Sequence, residues 1–304
     1  MTPIHSGLHF PAMTTQGMGE SAPLQTVTIR TLKRMVKANE PFACLTCYDA
    51  TTARWLERAG VHVLLVGDTA AEVVLGLPST IHMPLDISIA LTAAVKRGAP
   101  RCIVMADMPF MSYQASREAA LINAGRYMTE GLADVVKIEA DETFAPLVDA
   151  MTRAGVPICG HVGSRPQRSA LAGGYSSAGR TPSEADQIVR DAIALEQAGA
   201  VMLLVEAVPE AVTRSILTET SVPLIGIGAG PACHGQVLVL QDLLGMTDQQ
   251  PVFAEPVAQV GREIQRAAAE WVDRVSRRGV TAHRYEMKGD AGSAAVRSGR
   301  QTSG

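Results

Sequence analysis

Residues 133 to 139 read Ala-Asp-Val-Val-Lys-Ile-Glu, an apolar run with two opposite charges at its end. Short runs of apolar and β-branched residues predict a buried strand. Because side chains alternate along a strand, Lys137 and Glu139 lie on the same face. Charges at the end of a core strand are costly unless they pair, bind a metal or hold a substrate. The stretch therefore indicates either a partly solvated ion pair or a functional site.

The same pattern, an apolar run followed by polar residues, recurs from residue 42 onward. Amphipathic segments of helix length separate these runs, which indicates alternating strands and helices. The eight predicted strands are 42–47, 61–66, 102–106, 134–138, 156–160, 201–205, 222–227 and 252–254. Eight β-α units with short connections predict an α/β fold of the (β/α)₈ TIM barrel type, as a single domain. An open doubly wound sheet is the alternative.

Capping residues delimit the intervening helices. The predicted pairs of N-cap and closing glycine are Asp49 and Gly60, Asp86 and Gly98, Ser116 and Gly131, and Asp141 and Gly155. The run Thr181-Pro182-Ser183-Glu184 is a capping box with proline at the first helical position, and Gly199 ends that helix.

The two ends of the chain differ in composition from the middle. Residues 1–25 lack periodicity and predict a disordered leader, and 277–304 predict a flexible tail. The barrel domain is predicted over 26–276, beginning with a short helix capped by Thr28 that covers one end of the fold. An extra C-terminal helix over 257–275 carries Trp271 and is longer than barrel closure needs, which suggests packing on a neighbouring subunit.

Composition excludes several classes of protein. The chain of 304 residues has 27 basic and 30 acidic side chains, so no nucleic-acid partner is expected. No run approaches the length of a membrane span, and the N-terminus lacks a secretory pattern, so a cytoplasmic location is expected. The five cysteines predict reduced thiols, with Cys44 and Cys47 as core residues facing opposite ways.

In a barrel of this kind the residues just past each strand form the active face. The ionisable residues at these positions are Asp68, Asp107, Lys137, Glu139, His161 and Glu206. Their convergence at one mouth is hard to explain by packing. Three of them, Asp68, Asp107 and Glu139, offer hard oxygen ligands without cysteine, which selects Mg²⁺ or Mn²⁺ over structural zinc.

The glycine run at 226–230 could cradle a phosphate or let the backbone pass close to a ligand, and the second is favoured. His62 lies inside a predicted strand and is interpreted as a core or edge histidine. His234 is predicted to open a helix after the glycine run, and its role is left undecided.

Six motifs together resemble one known family over residues 28 to 246. They are Leu-Val-Gly-Asp-Thr (65–69), Ala-Asp-Met-Pro-Phe (106–110), Val-Lys-Ile-Glu (136–139), Cys-Gly-His-Val-Gly (159–163), Gly-Gly-Tyr (173–175) and Ile-Gly-Ile-Gly-Ala-Gly (225–230). The chain is similar to the ketopantoate hydroxymethyltransferases, also called 3-methyl-2-oxobutanoate hydroxymethyltransferases.

The resemblance implies a (β/α)₈ barrel that assembles as a homo-oligomer, typically a decamer. Such enzymes use Mg²⁺ to transfer a one-carbon unit from 5,10-methylenetetrahydrofolate to the 2-oxo acid 3-methyl-2-oxobutanoate, giving 2-dehydropantoate (ketopantoate) for pantothenate biosynthesis. Carried over by motif, the metal ligands are Asp68, Asp107 and Glu139, the substrate-binding residues are Asp68, Thr69, Asp107, Lys137 and His161, and the catalytic base is Glu206.

The predicted residues give this chemistry a physical reason. A 2-oxo acid that chelates Mg²⁺ has a polarised carbonyl, and the enolate formed on deprotonation is stabilised by the metal and by Lys137. Glu206, on a different strand, could take the proton from C3 before the enolate attacks the methylene carbon.

Several rim residues depart from the family pattern. They are Thr69 in place of Ser, Leu77-Pro78-Ser79-Thr80 without the usual acid, Ser164-Arg165 before Pro166-Gln167, Ser176-Ser177, and His234 in place of an acid. These leave open a paralogue acting on another 2-oxo acid. A phosphoenolpyruvate mutase or isocitrate lyase type of enzyme is also open, although its Lys-Lys-Cys-Gly-like loop does not occur here. The alternative from another functional class is a non-catalytic binding protein descended from the enzyme.

Overall fold

The structure, a computed structural model, describes residues 25–248 and 250–280, and its strands close into a barrel. Each strand pairs in parallel with the next in sequence, and β8 pairs with β1. The strands are β1 Phe42–Thr46, β2 Val63–Val66, β3 Ile103–Asp107, β4 Val135–Glu139, β5 Ile158–Gly163, β6 Met202–Glu206, β7 Leu224–Ile227 and β8 Gly235–Leu238. The predicted (β/α)₈ barrel is confirmed, and the open sheet is excluded.

Helices separate the strands, as the capping pattern indicates. The α-helices are α1 Ile29–Lys37, α2 Ala50–Arg58, α3 Ala70–Val73, α4 Leu85–Gly98, α5 Arg117–Thr129, α6 Ala145–Arg153, α7 Ser169–Ala172, α8 Pro182–Gln197, α9 Glu210–Glu219, α10 Leu240–Leu243 and α11 Val260–Ser276. Short 3₁₀ helices occupy Thr80–His82, Glu142–Phe144 and Pro166–Arg168. Asp49, Ser116 and Thr181 cap α2, α5 and α8 as predicted, and Glu184 completes the capping box.

Alternation along the strands fills the barrel interior and aims the polar residues at its mouth. Cys44, Val63, Ile103, Val135 and Met202 belong to one inner apolar cluster. Residues that continue this face appear two and four positions further on, where the apolar side chains give way to polar ones. The polar residues on this continued face are Asp107, Lys137, Glu139, His161 and Glu206.

Helix α1 and the cysteines occupy the places that the sequence predicts for them. Leu32 and Met35 of α1 pack into the same inner cluster, so this helix covers one end of the barrel. Cys44 is part of this cluster, whereas Cys47 belongs to a second cluster with Ala53 of α2. All five cysteines are buried free thiols, which agrees with the prediction of reduced residues.

The predicted eighth strand is wrong. Residues 252–254 form no strand, and Val252 and Phe253 are exposed. The strand that closes the barrel is β8, in which Gly235 pairs with Phe42 and with Ile225. The sequence Gly-Gln-Val-Leu of β8 lacks a continuous apolar run because Gln236 faces solvent, and glycine is depleted in strands.

Three further predictions need correction. His234 precedes β8 and opens no helix; its ring nitrogen Nδ1 accepts a hydrogen bond from the Leu224 amide. Asp86 lies in the first turn of α4, whose N-cap is Pro84. Asp141 caps the 3₁₀ helix Glu142–Phe144, and α6 begins only after it. Each correction moves a boundary by a few residues and leaves the barrel topology unchanged.

The described chain divides into two compact units, 1–258 and 259–304. In the second unit α11 is confirmed over Val260–Ser276, close to the predicted bounds. Ion pairs along α11 join Glu263 to Arg266 and Asp273 to Arg277. The predicted leader and most of the predicted tail lie outside the described residues. Within the described ranges, no helix has the length and apolarity needed to cross a membrane.

Candidate active site

The Lys137 ammonium group is the centre of a buried polar cluster at the mouth of the barrel. Its Nζ lies 2.6 Å from Oδ1 of Asp107 and 3.2 Å from Nδ1 of His161. All three residues are buried. Because β3, β4 and β5 are neighbours in register, Asp107 is the pairing partner of Lys137, and His161 that of Glu139. The sequence prediction that these side chains converge is therefore confirmed.

His161 lies between Lys137 and Glu206. A lysine ammonium can only donate, so Nδ1 of His161 is the acceptor and the ring proton is on Nε2. Nε2 lies 3.3 Å from Oε2 of Glu206, although the geometry does not make a hydrogen bond. Burial and the neighbouring Lys137 hold the pKa of His161 well below its usual value. The ring is consequently neutral and cannot carry a second proton at physiological pH.

Four carboxylates interact with the Lys137 ammonium, and the protonation of three of them is shifted. Burial, together with the neighbouring carboxylate of Asp107, raises the pKa of Asp68 to about 7. Burial and Asp68 raise the pKa of Glu139 well above its usual value. Burial alone raises the pKa of Glu206 to about 7. These three carboxyl groups therefore bind their protons more tightly than they would in water.

Lys137 itself stays protonated. Burial lowers the pKa of an ammonium group, but the nearby carboxylates of Asp107, Asp68 and Glu139 outweigh this effect and raise the pKa of Lys137 above its usual value. Lys137 is thus a fixed cation at neutral pH.

The donor chemistry suits a hard divalent cation, but the predicted three-carboxylate ligand set is not assembled. Over residues 25–248 and 250–280, no three His, Cys, Asp or Glu side chains come together to hold one ion. Asp68 and Asp107 are in direct contact, since the Asp68 backbone amide donates to Oδ2 of Asp107 at 3.2 Å. Mg²⁺ is commonly bound through one or two carboxylates, with water and substrate oxygens completing the shell. A pair of ligands therefore fits Mg²⁺.

Glu139 forms hydrogen bonds with the segment after β5. Its carboxylate oxygens accept from the backbone amide of Gln167 at 3.0 and 3.3 Å. Gln167 and Tyr113, both buried, were not found from the sequence. Neither residue comes directly after a strand, and the carboxylates were found from the sequence because they do.

Tyr48 is a further site residue that the sequence analysis missed, although the alternation of β1 points to it. Thr46 and Tyr48 continue the inner face of that strand, two residues apart. The buried Tyr48 hydroxyl has no hydrogen-bond partner among the described residues. Its pKa is raised, first by burial and then by the charges of Asp107 and Asp68. A buried hydroxyl of this kind is available to a bound ligand.

The remaining predicted site residues lie at the edge of the cluster. Thr69 is partly buried at the start of α3, and its side chain makes no capping hydrogen bond. Arg165 donates to Asp141 at 2.8 Å, and Arg168 donates to the same oxygen at 3.0 Å. Together with Gly163 and Tyr175, the two arginines line a groove with a volume of about 270 Å³.

The glycine run packs against the protein's own side chains. A Cβ on Gly226 would meet Sγ of Cys233 at 2.5 Å, and one on Gly228 would meet the Phe253 ring at 2.8 Å. The φ angle of Gly228 is +59°, which also favours glycine. The backbone of this run is closely approached, but the groups that approach it are side chains of the protein rather than a ligand.

These features define a class of protein: a (β/α)₈ barrel enzyme with an acidic site around a buried lysine. Over residues 26–281 the sequence matches the family model described as ketopantoate hydroxymethyltransferase. The chain belongs to the ketopantoate hydroxymethyltransferase family, and it is a hydroxymethyltransferase enzyme.

Curated relatives agree with this assignment. A 3-methyl-2-oxobutanoate hydroxymethyltransferase of Hyperthermus butylicus is 45% identical over 251 residues, which cover 83% of this chain and 87% of that protein. One of Heliobacterium modesticaldum is 42% identical over 251 residues, covering 82% and 91% respectively. Identity at this level to relatives named as enzymes, over most of both chains, supports an enzyme rather than a non-catalytic binding protein descended from one.

Solved structures of other enzymes share the barrel. A phosphonopyruvate hydrolase in complex with oxalate and Mg²⁺ superposes with a TM-score of 0.57 at 15% identity, covering 83% of this chain and 88% of that one. A 2,3-dimethylmalate lyase of the phosphoenolpyruvate mutase and isocitrate lyase superfamily gives 0.55 at 18% identity, covering 88% and 93%. These likenesses extend to the fold, while the sequence family is the hydroxymethyltransferase one.

Proposed function

We propose that this protein transfers a hydroxymethyl group from 5,10-methylenetetrahydrofolate to 3-methyl-2-oxobutanoate, forming 2-dehydropantoate. Membership of the family supports the product, and the names of the relatives support the 2-oxo acid. The observation that carries the mechanism is the connected series Asp107, Lys137, His161 and Glu206, which brings a fixed cation and a carboxylate of raised pKa to one mouth.

Glu206 has the properties of the base that removes the C3 proton. A general base works best when its pKa is near the working pH, and burial brings the pKa of Glu206 to about 7. Its side chain is 22% exposed, so it can reach a ligand in the mouth, whereas His161 is 2% exposed. His161 is held neutral beside Lys137, and its Nε2 lies 3.3 Å from Oε2 of the base.

Lys137 stabilises the negative charge that develops on the 2-oxo oxygen when the proton leaves. An ammonium group fixed by Asp107 and His161 needs no reorganisation during the reaction. Asp68 and Asp107 would hold a Mg²⁺ ion, and the chemistry that the ion would supply is polarisation of the 2-oxo group. Glu139 lies beside this pair and accepts hydrogen bonds from the Gln167 backbone amide. Thr69 is at the substrate by family resemblance, and the homo-oligomer stays a prediction from that resemblance.

One observation favours a second candidate, a paralogue that uses a 2-oxo acid with an additional negative group. Arg165 and Arg168 share the carboxylate of Asp141, so two guanidinium groups face one anion beside the groove. An uncompensated cation there would attract a second carboxylate. Arg165 is directed to Asp141 rather than to the cluster, which makes this candidate the weaker one.

The test is product formation. Purified protein is incubated with 3-methyl-2-oxobutanoate, Mg²⁺ and methylenetetrahydrofolate, and 2-dehydropantoate is measured by mass spectrometry, with 2-oxoglutarate as the competing acceptor. Lys137→Met should abolish the product. Lys96→Met is the matched control, because Lys96 also forms a partly buried ion pair, with Asp134 at 2.6 Å. Product at the uncatalysed rate with the wild-type protein would refute the proposal, and preference for 2-oxoglutarate that Arg165→Leu removes would favour the second candidate.

A further inference from the structure

Gln167 is a buried polar residue that joins four parts of the barrel mouth. It lies in the 3₁₀ helix Pro166–Arg168 after β5 and is 5% exposed. Its side chain extends to residues that follow β2 and β3, and its backbone contacts the end of β4. Such a residue is costly to bury unless each of its polar atoms has a partner.

The orientation of the Gln167 amide is fixed by its partners. Nε2 donates to the carbonyl oxygen of Met108 at 3.0 Å, and a backbone carbonyl can only accept. The same nitrogen must therefore be the group that donates to Oδ2 of Asp68 at 2.9 Å. The opposite atom, Oε1, accepts from the Tyr113 hydroxyl at 2.8 Å and from Nε2 of Gln114 at 3.0 Å. An amide rotated by 180° would place Oε1 beside the Met108 carbonyl and the Asp68 carboxylate, which are acceptors, and would place its nitrogen beside Nε2 of Gln114, which is a donor.

The same residue also fixes Glu139. The Gln167 backbone amide donates to both carboxylate oxygens of Glu139, and the Tyr113 hydroxyl accepts from the Glu139 amide at 3.1 Å. The carboxylates of Asp68 and Glu139 are both buried at the mouth of the barrel, where like charges repel each other. Hydrogen-bond donors placed on both are what keeps the two carboxylates apart and in defined positions.

We propose that Gln167 is a positioning residue, whose side chain holds the carboxylate of Asp68 where it would bind a divalent cation and whose backbone fixes Glu139 beside it. The inference rests on the proposed function for the identity of these ligands. It extends that proposal to a residue that touches no ligand itself but orients the groups that do. Partners of this kind typically change metal affinity or activity by roughly 10- to 100-fold when they are removed.

The experiment compares Gln167→Met with Gln114→Met. Methionine has a similar length and volume to glutamine and lacks its donor and acceptor. Gln114 belongs to the same network but donates to Gln167 rather than to a carboxylate, so it is the matched control. Binding of Mn²⁺ to each folded protein is measured by electron paramagnetic resonance, thermal unfolding reports stability, and a crystal structure of each variant gives the position of the Asp68 carboxylate.

Gln167→Met should raise the dissociation constant for Mn²⁺ about 10- to 100-fold and displace the Asp68 carboxylate, while Gln114→Met keeps both near their wild-type values. A role in stability alone would lower the melting temperature without changing Mn²⁺ affinity, and that result would overturn the inference. Equal losses of affinity in both variants would also overturn it. If the wild-type protein bound no Mn²⁺, the metal part of the proposed function would fail, and the crystal structures would still decide the inference by the position of Asp68.

Discussion

Replacing Glu206 by glutamine removes the proposed base and keeps its size. In the fold the pKa of Glu206 rises from 4.5 to about 7, a change of about 2.5 units, or roughly 3 kcal/mol in favour of the neutral acid. A neutral amide avoids this cost, so the melting temperature of Glu206→Gln at pH 8 should equal or exceed that of the wild type. Turnover should fall by about 10² to 10⁴, the range for loss of a positioned base.

The raised pKa also sets the pH dependence. A base must be ionised, so activity should decrease as the pH falls through about 7, rather than through the usual range near 4.5. Below that point the rate should fall about tenfold for each pH unit, because the ionised fraction falls by this factor. Stability changes in the opposite direction: the contribution of Glu206 should decrease as the pH rises from about 4.5 to about 7, because over this range the unfolded chain has lost the proton that the folded protein keeps.

Exchange of the C3 proton of 3-methyl-2-oxobutanoate into deuterated water, followed by NMR without folate, isolates this step. Wild-type protein should catalyse the exchange and Glu206→Gln should not. Glu210→Gln is the matched control, because Glu210 is a partly exposed residue of α9 paired with Arg214. Equal exchange by wild type and Glu206→Gln would refute the reasoning and make His161, tested by His161→Gln, the next candidate for the base.

Two further predictions concern the metal pair and the packing of the helices. Asp107→Asn should weaken Mn²⁺ binding and leave Lys137 without its ion-pair partner, lowering stability in urea by about 3–5 kcal/mol; unchanged activity at micromolar Mg²⁺ would contradict this. Gly98→Ala should lower the melting temperature because its Cβ would lie 2.4 Å from the Ala50 carbonyl oxygen, whereas Gly125→Ala, with no atom within 4 Å, should raise stability by up to about 1 kcal/mol.

The sequence predicted those parts of the fold that depend on local pattern. Seven strands are mostly apolar segments bounded by turn residues, and such segments are recognisable because both faces of a parallel strand are buried. The eighth strand is different. β8 exposes Gln236 and opens with Gly235, whose missing side chain makes room for the Phe42 ring. Its place depends on pairing with β7 and with β1, and β1 is distant in sequence.

The same difference between local pattern and long-range contact explains which site residues the sequence revealed. Asp107, Lys137, Glu139, His161 and Glu206 were found because each continues the inward face of a strand at its end. Gln167 was missed as a site residue because its role comes from contacts across three loops. The sequence also could not show that the Arg165 side chain pairs with Asp141, because Asp141 follows another strand.

The ion pair between Lys137 and Asp107 has a consequence for side reactions. A primary amine condenses with a ketone only after losing its proton, and the carboxylates keep the pKa of Lys137 above its usual value. The amine closest to the proposed 2-oxo acid is therefore prevented from forming an imine with it. Treatment with borohydride in the presence of that acid should leave the mass of the protein unchanged, and the carbonyl stays free for reaction at its neighbouring carbon.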